Sequence, residues 1–431
     1  MRKMKASGIS WLGEFPSNWE LRKIKYCLQE RVEKNNPIKT TEILSLTAKQ
    51  GVIPYDQKEG GGNKPKEDVS AYRLAHPGDI VMNSMNILSG SVGLSQYFGC
   101  VSPVYYMLRP WNVKEDVRYY NYIFQTTMFQ RSLFGLGNGI LIKESGNGKL
   151  NTIRMRIPMD KFGGLFIPVA PTDEQRRIAD FLDAKCAEID VLTTDIQTQI
   201  DTLEQYKKSK IFKAVSQGIG DANMKSTNSD VWTNIPQNWS LVDIKYLFEI
   251  VKRIAGKEGY DILSVTQKGL KIKDISNNEG QIANDYSGYQ FVYPTDYVMN
   301  HMDLLTGWVD CSSQFGVTSP DYRVFRLKDK RKNSLEYYKY VMQCCYMCRI
   351  FYSLGQGVST LGRWRLQTSS FMNFQVPVPP LKDQIDIATY LDYICGEIDG
   401  LIELKSNQLE VLADYKKSLI FEYVTGKKEV V

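Results

Sequence analysis

Along most of this chain, short runs rich in β-branched and aromatic residues alternate with turn signals such as Gly60-Gly61-Gly62, Pro77-Gly78 and Gly137-Asn138-Gly139. That pattern predicts compact domains built mainly of short strands with a few helices. Two stretches depart from it. Ile189, Leu192, Ile196, Leu203 and Tyr206, and again Ile398, Leu401, Leu412, Tyr415 and Leu419, follow spacings of three and four among charged residues, as on one face of a helix. Pro-rich stops precede both stretches, Thr172 with Gln175 three residues later suits a capped start, and neither Pro nor Gly interrupts the first run before Gly218. Helices of about 40 residues are predicted, roughly 60 Å long at 1.5 Å per residue. Stripes of that length need a cover, and the ten residues named pair the two helices with each other as an antiparallel coiled coil. The plainer alternative is two separate helices, each packed on its own domain.

The order domain, helix, domain, helix is an internal repeat. The segment from Phe15 through Trp19 and Leu21 to Tyr26 recurs from Ile235 through Trp239 and Leu241 to Tyr246, an offset of 220. Ile43 to Thr47 returns as Ile262 to Thr266, and Pro77 to Asn83 as Pro294 to Asn300. An insertion around Ile142 to Lys149 marks the first copy alone, and register resumes with Arg154-Met-Arg156 against Arg363-Trp-Arg365. The tails match best. Ile167-Pro-Val-Ala-Pro171 leads to Gln175, Leu182-Asp183 and Glu188-Ile-Asp190, as Val376-Pro-Val-Pro-Pro380 leads to Gln384, Leu391-Asp392 and Glu397-Ile-Asp399. Tyr206-Lys-Lys-Ser209 likewise answers Tyr415-Lys-Lys-Ser418. The expected architecture is α+β with a pseudo-twofold repeat: domain 1 over residues 1–170, a central helix over 171–217, a polar linker over 218–230, domain 2 over 231–380 and a distal helix over 381–426.

The length of 431 residues agrees with more than one core. Charge separates the parts. Residues 1–170 carry a balance of +9 and 218–380 of +3, while 171–217 carry −2 and 381–431 carry −4. Basic domains suit a polyphosphate partner, although solubility alone also explains a modest excess. There is no apolar run of membrane-spanning length and no secretory signal, so a cytoplasmic, non-membrane protein is expected. Eight scattered Cys and two His, with Cys344, Cys345 and Cys348 as the lone cluster, speak against a structural metal.

No complete catalytic constellation is present in the sequence. Ser102-Pro-Val-Tyr105 and Ser319-Pro-Asp-Tyr322 resemble a methyltransferase base-holding loop but lack its second Pro and the upstream Gly-rich turn. No nucleotide-binding P-loop occurs, and no Ser-His-Asp or Cys-His arrangement is evident. Asp79 and Asp296 are the best repeated acids, yet each follows a Pro-Gly or Pro-Thr turn and lacks a nuclease-like acid-x-Lys pair. A binding protein without a catalytic site is expected.

The twice-repeated order of a Pro-x-Asn-Trp domain opening, a Gly-x-Gly segment (Gly137 to Gly139, Gly355 to Gly357) and a helix introduced by Ile/Val-Pro-x-x-Pro, Gln, Leu-Asp and Glu-Ile-Asp resembles the specificity subunits of type I restriction-modification enzymes. The likeness covers essentially the whole chain. It implies two target-recognition domains, each reading one half of a split site in double-stranded DNA, with the helices as spacer and as docking surface for two methyltransferase subunits and, through them, restriction subunits. It also implies that this chain binds no cofactor, and that S-adenosylmethionine, ATP and Mg2+ belong to the partners, which methylate adenine and cleave DNA in host defence. A DNA-independent dimeric adaptor and a methyltransferase with fused recognition domains remain alternatives.

Base edges and phosphates are met by Arg, Lys, Asn, Gln and Ser. The candidates in domain 1 are Lys49, Gln50, Asn83, Ser84, Asn138, Lys143, Lys149, Arg154 and Arg156. Those in domain 2 are Gln267, Lys268, Asn300, His301, Gln356, Ser359, Arg363 and Arg365. For Asn83 and Asn300, bonding to local backbone is the competing role.

Overall fold

The computed structural model describes all residues except 1, 48–49, 59–64, 86–89, 138–142, 145–149, 152–155, 275–284, 358–363 and 431, and at 143, 144, 150 and 151 the backbone alone. The chain divides into two units, Met1–Ile196 with Gln408–Val431, and Gln197–Asn407. Each unit therefore holds one domain, the start of the helix that follows it, and the end of the other helix.

In the first unit, a four-stranded antiparallel sheet runs in the order Leu28–Glu30, Tyr105–Pro110, Ile80–Asn83, Val92–Leu94. Strand Glu20–Lys23 pairs with Phe166–Val169, joining the domain's opening to the segment just before the central helix. The hairpin Leu44–Thr47 with Gly51–Pro54 stands beside the sheet. The second unit repeats the plan: Phe248–Val251, Arg323–Leu327, Tyr297–Met299, Val309–Cys311 in the sheet, Ser240–Asp243 on Gln375–Val378, and the hairpin Leu263–Thr266 with Gly269–Ile272.

One expectation changes at the linker. Met224–Ser226 is a strand paired with Asn234–Pro236, as Met4–Ala6 is paired with Glu14–Pro16. Lys225 Nζ donates to the carbonyls of Gln237 (2.9 Å) and Trp239 (2.5 Å), and Lys5 Nζ to those of Ser17 (3.0 Å) and Trp19 (2.8 Å). The second repeat thus opens inside the stretch expected to be a loop.

The long helices span Thr172–Gln217 and Leu381–Val424. In the first unit Ile178, Leu182, Cys186 and Ile189 of the central helix share one core with Leu419, Ile420 and Val424 of the C-terminal helix and with Trp19, Tyr119 and Phe124 of the domain. In the second, Ile387, Leu391 and Cys395 join Ile211, Ala214 and Val215 around Trp239, Tyr337 and Phe325. Burying each large apolar side chain contributes about 1.5–3 kcal/mol, which is why the helices hold to the domains. Two hydroxyls complete the seating. Tyr119 OH donates to Pro168 O and Val424 O, both at 3.1 Å, and Tyr337 OH to Val215 O at 3.2 Å and Pro377 O at 3.4 Å. Gly426, at φ +70, ends the C-terminal helix where a Cβ would stand 2.3 Å from Pro16 Cγ, so this exit requires glycine.

The helices pack together, antiparallel within each unit. Phe181 lies 4.5 Å from Tyr423 while Asp190 pairs with Lys416, and Lys207 pairs with Asp399 while Gln199 accepts from Lys405. Within each unit the seam follows a heptad: Leu182, Ile189 and Ile196 with Cys186 and Thr193 against Leu412 and Leu419 with Leu409 and Lys416 in the first, and Leu203 with Ile200 and Lys207 against Leu391, Ile398 and Lys405 with Cys395 and Ile402 in the second. All of these are buried or half-buried. Leu192, Tyr206, Leu401 and Tyr415, expected in the seam, are instead 45, 46, 47 and 52% exposed. Each sits one residue ahead of a seam position, about 100° around the helix from it.

Candidate nucleic-acid interface

The motif residues of the tails position the domains. Gln175 and Gln384 are fully buried. Gln175 Oε1 accepts from the N–H of Asp116 (3.1 Å) and its Nε2 donates to Ala170 O (2.8 Å); Gln384 takes the N–H of Ser334 (2.8 Å) and donates to Pro379 O (2.9 Å). Asp116 and Ser334 are themselves the N-caps of helices Val117–Gln125 and Leu335–Met347, so one glutamine per repeat ties the long helix to the domain's main helix. Tyr122 OH on Asp183 and Tyr340 OH on Asp392, both 2.6 Å, repeat the tie about two turns further along the long helix.

The acids considered for chemistry are engaged in the same manner. Asp79 holds Arg31 at 2.8 Å and Asp296 holds Arg253 at 3.0 Å, while each carboxylate accepts one backbone N–H of its turn at 2.9 Å, from His76 and Tyr293. Ser102 and Ser319 close turns into strands, their carbonyls accepting from Tyr105 and Tyr322 at 3.0 Å. Cys344 and Cys348 approach to 3.8 Å between sulfurs, a hydrogen bond that lowers the Cys348 thiol and raises that of Cys344. Among the described residues no cluster of three His, Cys, Asp or Glu could hold a metal, and no helix is long and apolar enough to cross a membrane.

The candidate contacts that are exposed are Gln50, Arg156, Gln267, Lys268, Gln356 and Arg365. Gln50 sits at the tip of its hairpin, its N–H on Thr47 Oγ1 at 2.9 Å, and Gln267 and Lys268 form the equivalent tip, with Lys268 N on Thr266 Oγ1 at 3.2 Å. In domain 2 a chain of bonds links this tip to the other candidates. Gln267 Nε2 reaches Thr306 O (3.5 Å), Leu304 N donates to Trp364 O (3.2 Å), and Gln356 and Arg365 exchange both backbone hydrogen bonds (2.9 and 3.0 Å). The Gly-x-Gly segment now has a reason: a Cβ at Gly355 or Gly357 would stand 2.5 or 2.1 Å from the Trp364 ring, which stacks on Tyr352 at 5.2 Å. Two glycines folded over an indole present Gln356, exposed, next to exposed Arg365. Arg156, the counterpart of Arg365, is exposed in domain 1.

Four candidates have local work. Asn83 Oδ1 accepts from Met85 N at 3.0 Å and Asn300 Oδ1 from Met302 N at 3.3 Å, each closing a turn on its own backbone. Ser84 and His301 correct the expectation of exposed contacts. Ser84 is 1% exposed and donates to Val104 O at 2.6 Å; His301 is 8% exposed, with burial and the charges of Arg323 and Arg365 holding its ring down to about 4. Strand alternation turns both inward, which a one-residue shift of the sequence reading conceals. Lys49, Asn138, Lys149, Arg154, Ser359 and Arg363, and the side chain of Lys143, lie outside the described residues. Arg323 is a further residue of the corner around His301, and its one signal in the sequence is that it stands where the first repeat has Tyr106.

Comparison with known proteins agrees with the repeat. The family of type I restriction modification DNA specificity domains matches residues 236–411. The type I restriction enzyme MjaVIII specificity subunit of Methanocaldococcus jannaschii is 24% identical over 62% of this chain, and the chain spans 63% of that relative's length. A chain of the same organism assigned as the type I restriction enzyme MjaX specificity subunit is 23% identical over 97% of this chain and 96% of its own length. In fold, the chain is similar to one from a structure described as the basis of complex assembly and conformational transition of the type I R-M system, with a TM-score of 0.66 and 13% identity over 96% of this chain and 99% of that one. With the motifs in order twice over and a similar fold along its length, this chain is similar throughout to the specificity subunits of type I restriction-modification enzymes, and its residues 236–411 match their DNA specificity domain.

Proposed function

We propose that this chain reads a split site in double-stranded DNA, one half-site per domain, and carries no catalytic group of its own. The observation behind the reading is the duplicated hairpin tip, set on the same sheet in both domains but different in content. Thr47 pairs with Gly51 across three residues, Thr266 with Gly269 across two. A shared scaffold with unlike exposed tips suits two readers of unlike sequence. The exposed faces of the paired helices, where Leu192, Tyr206, Leu401 and Tyr415 stand, serve to dock two methyltransferase subunits and, through them, restriction subunits. S-adenosylmethionine, ATP and Mg2+ are bound by those partners, in the cytoplasm.

The test is co-expression with the cognate methyltransferase subunit in a host lacking such marks, followed by mapping of methylated adenines. A split motif that depends on this chain is the expected result. A stable complex with no new methylation overturns the reading.

A further inference from the structure

The two domains differ sharply at one corner. By strand register, Met82 faces Tyr106 in the first sheet and Met299 faces Arg323 in the second, so Tyr106 and Arg323 are counterparts, as are Ser84 and His301. In domain 1 the two buried counterparts are uncharged and hydrogen-bonded: Tyr106 OH donates to Ile157 O at 3.0 Å, and Ser84 Oγ to Val104 O at 2.6 Å. In domain 2 it holds a guanidinium and an imidazole. Arg323 is 4% exposed, donates to Leu366 O at 3.0 Å and Thr368 Oγ1 at 3.3 Å, and lies 4.7 Å over the Phe371 ring. Among the described residues no carboxylate pairs with it; burial lowers it to about 10, which leaves it charged at neutral pH. His301 Nδ1 is buried without a hydrogen-bond partner, and the His301 carbonyl accepts from Leu366 N at 2.9 Å, beside exposed Arg365.

A buried cation with no counter-charge among the described residues, next to an unpaired ring nitrogen, is costly, and such groups in a native structure call for an anion or a function. The sister domain closes the same corner without either, so the fold does not demand them. We propose that His301, Arg323 and Arg365 form an anion seat, present in the second domain alone, that takes a backbone phosphate of duplex DNA. The proposal rests on the DNA-reading function above. Arg365 meets the phosphate from the open side, and Arg323 contributes the uncompensated charge behind it. Once the phosphate offsets the two guanidinium charges, the imidazole takes a proton from solvent and holds it as a donor. The other titratable groups at this corner among the described residues are the Tyr346 hydroxyl, which donates to Asn300 O at 2.7 Å, and Asp303 in the following turn.

The chain has only two histidines, so selective labelling of the full chain gives two ring signals in NMR spectra. His76, bound to Glu33 at 2.8 Å in domain 1, is the internal reference. The probes are inorganic phosphate and, separately, a duplex of about 30 base pairs of arbitrary sequence, whose affinity falls with salt by about 0.9 log units per neutralised phosphate. Either probe is expected to move the His301 signal and raise its titration midpoint by a unit or more, leaving His76 in place. Arg323→Tyr, the residue domain 1 uses, abolishes the response. Arg365→Ala, on an exposed side chain, lowers the salt slope by about 0.9 without touching the core. If duplex binds and His301 does not move, or if both variants respond as the parent does, the seat is refuted and the DNA reading stands. If phosphate moves His301 but no duplex binds, the DNA reading is refuted, and the assigned phosphate source with it.

Discussion

Lys416 Nζ lies 2.6 Å from Asp190 Oδ1, and the counterpart pair, Lys207 with Asp399, is 2.6 Å apart as well. Each pair joins the lysine of a Tyr-Lys-Lys-Ser segment to the aspartate of a Glu-Ile-Asp segment on the opposing helix. Two motifs that look unrelated along the sequence are therefore the two halves of one contact. The lysines occupy seam positions, where a polar residue fixes register at some expense of stability.

Reversing one charge tests this. Asp190→Lys is expected to lower the denaturation midpoint, and adding Lys416→Asp to restore most of the loss. Because both side chains are partly solvated, the coupling in a double-mutant cycle is expected at about 1 kcal/mol or less. Additive losses would show that the pair sets nothing.

The tyrosine hydroxyls that seat the helix ends are a second target. Tyr119 and Tyr337 are fully buried, and each donates to a carbonyl of its own domain and one at a helix end. Tyr119→Phe leaves both carbonyls short of a donor and should cost about 1–3 kcal/mol. Tyr337→Phe should cost a similar amount, read as a fall in thermal midpoint. Unequal losses would mean that the repeat is not energetically symmetric.

His301 makes stability depend on pH. Its folded value, about 4, lies below the ordinary 6.5, so the unfolded chain binds the proton more readily between them. The contribution is whole above about 6.5 and is lost as pH falls toward about 4. His301→Gln should flatten this part of the urea-midpoint profile. An unchanged difference between the profiles at pH 7 and pH 5 would count against it.

At the hairpin tip, Lys268→Ala is expected to leave the fold intact, since its side chain is exposed. Duplex affinity should fall and its salt slope decrease by about 0.9, as for one phosphate lost. An unaltered slope would remove Lys268 from the interface.

Much of the fold is legible because duplication supplies an internal control: Gln175 and Gln384 fall in the same places and do the same work. The start of the second repeat escaped notice because Met4-Lys5 and Met224-Lys225 make too short a match, although their lysines bind the same pair of carbonyls. The helix stripe was read one residue off at Leu192, Tyr206, Leu401 and Tyr415, since spacings of three and four fit two adjacent faces equally and only the packed partner selects between them. The polarity of Ser84 and His301 suggests exposure, whereas both are buried at the ends of their strands. Arg323 gives no sign of its role by itself; a repeat comparison that allows a tyrosine to be matched by an arginine finds it.

Leu419, Ile420 and Val424 belong to the core that Trp19 and Tyr119 begin, some three hundred and more residues earlier in the chain. On the ribosome, then, the domain translated first is the last to close. Its apolar floor stays open while domain 2 is made, whereas domain 2 receives Ile211, Ala214 and Val215 before its own strands emerge. The interval exposes domain 1 to misassembly, and any chain cut short before residue 419 would lose this part of the floor beneath a domain it had fully translated.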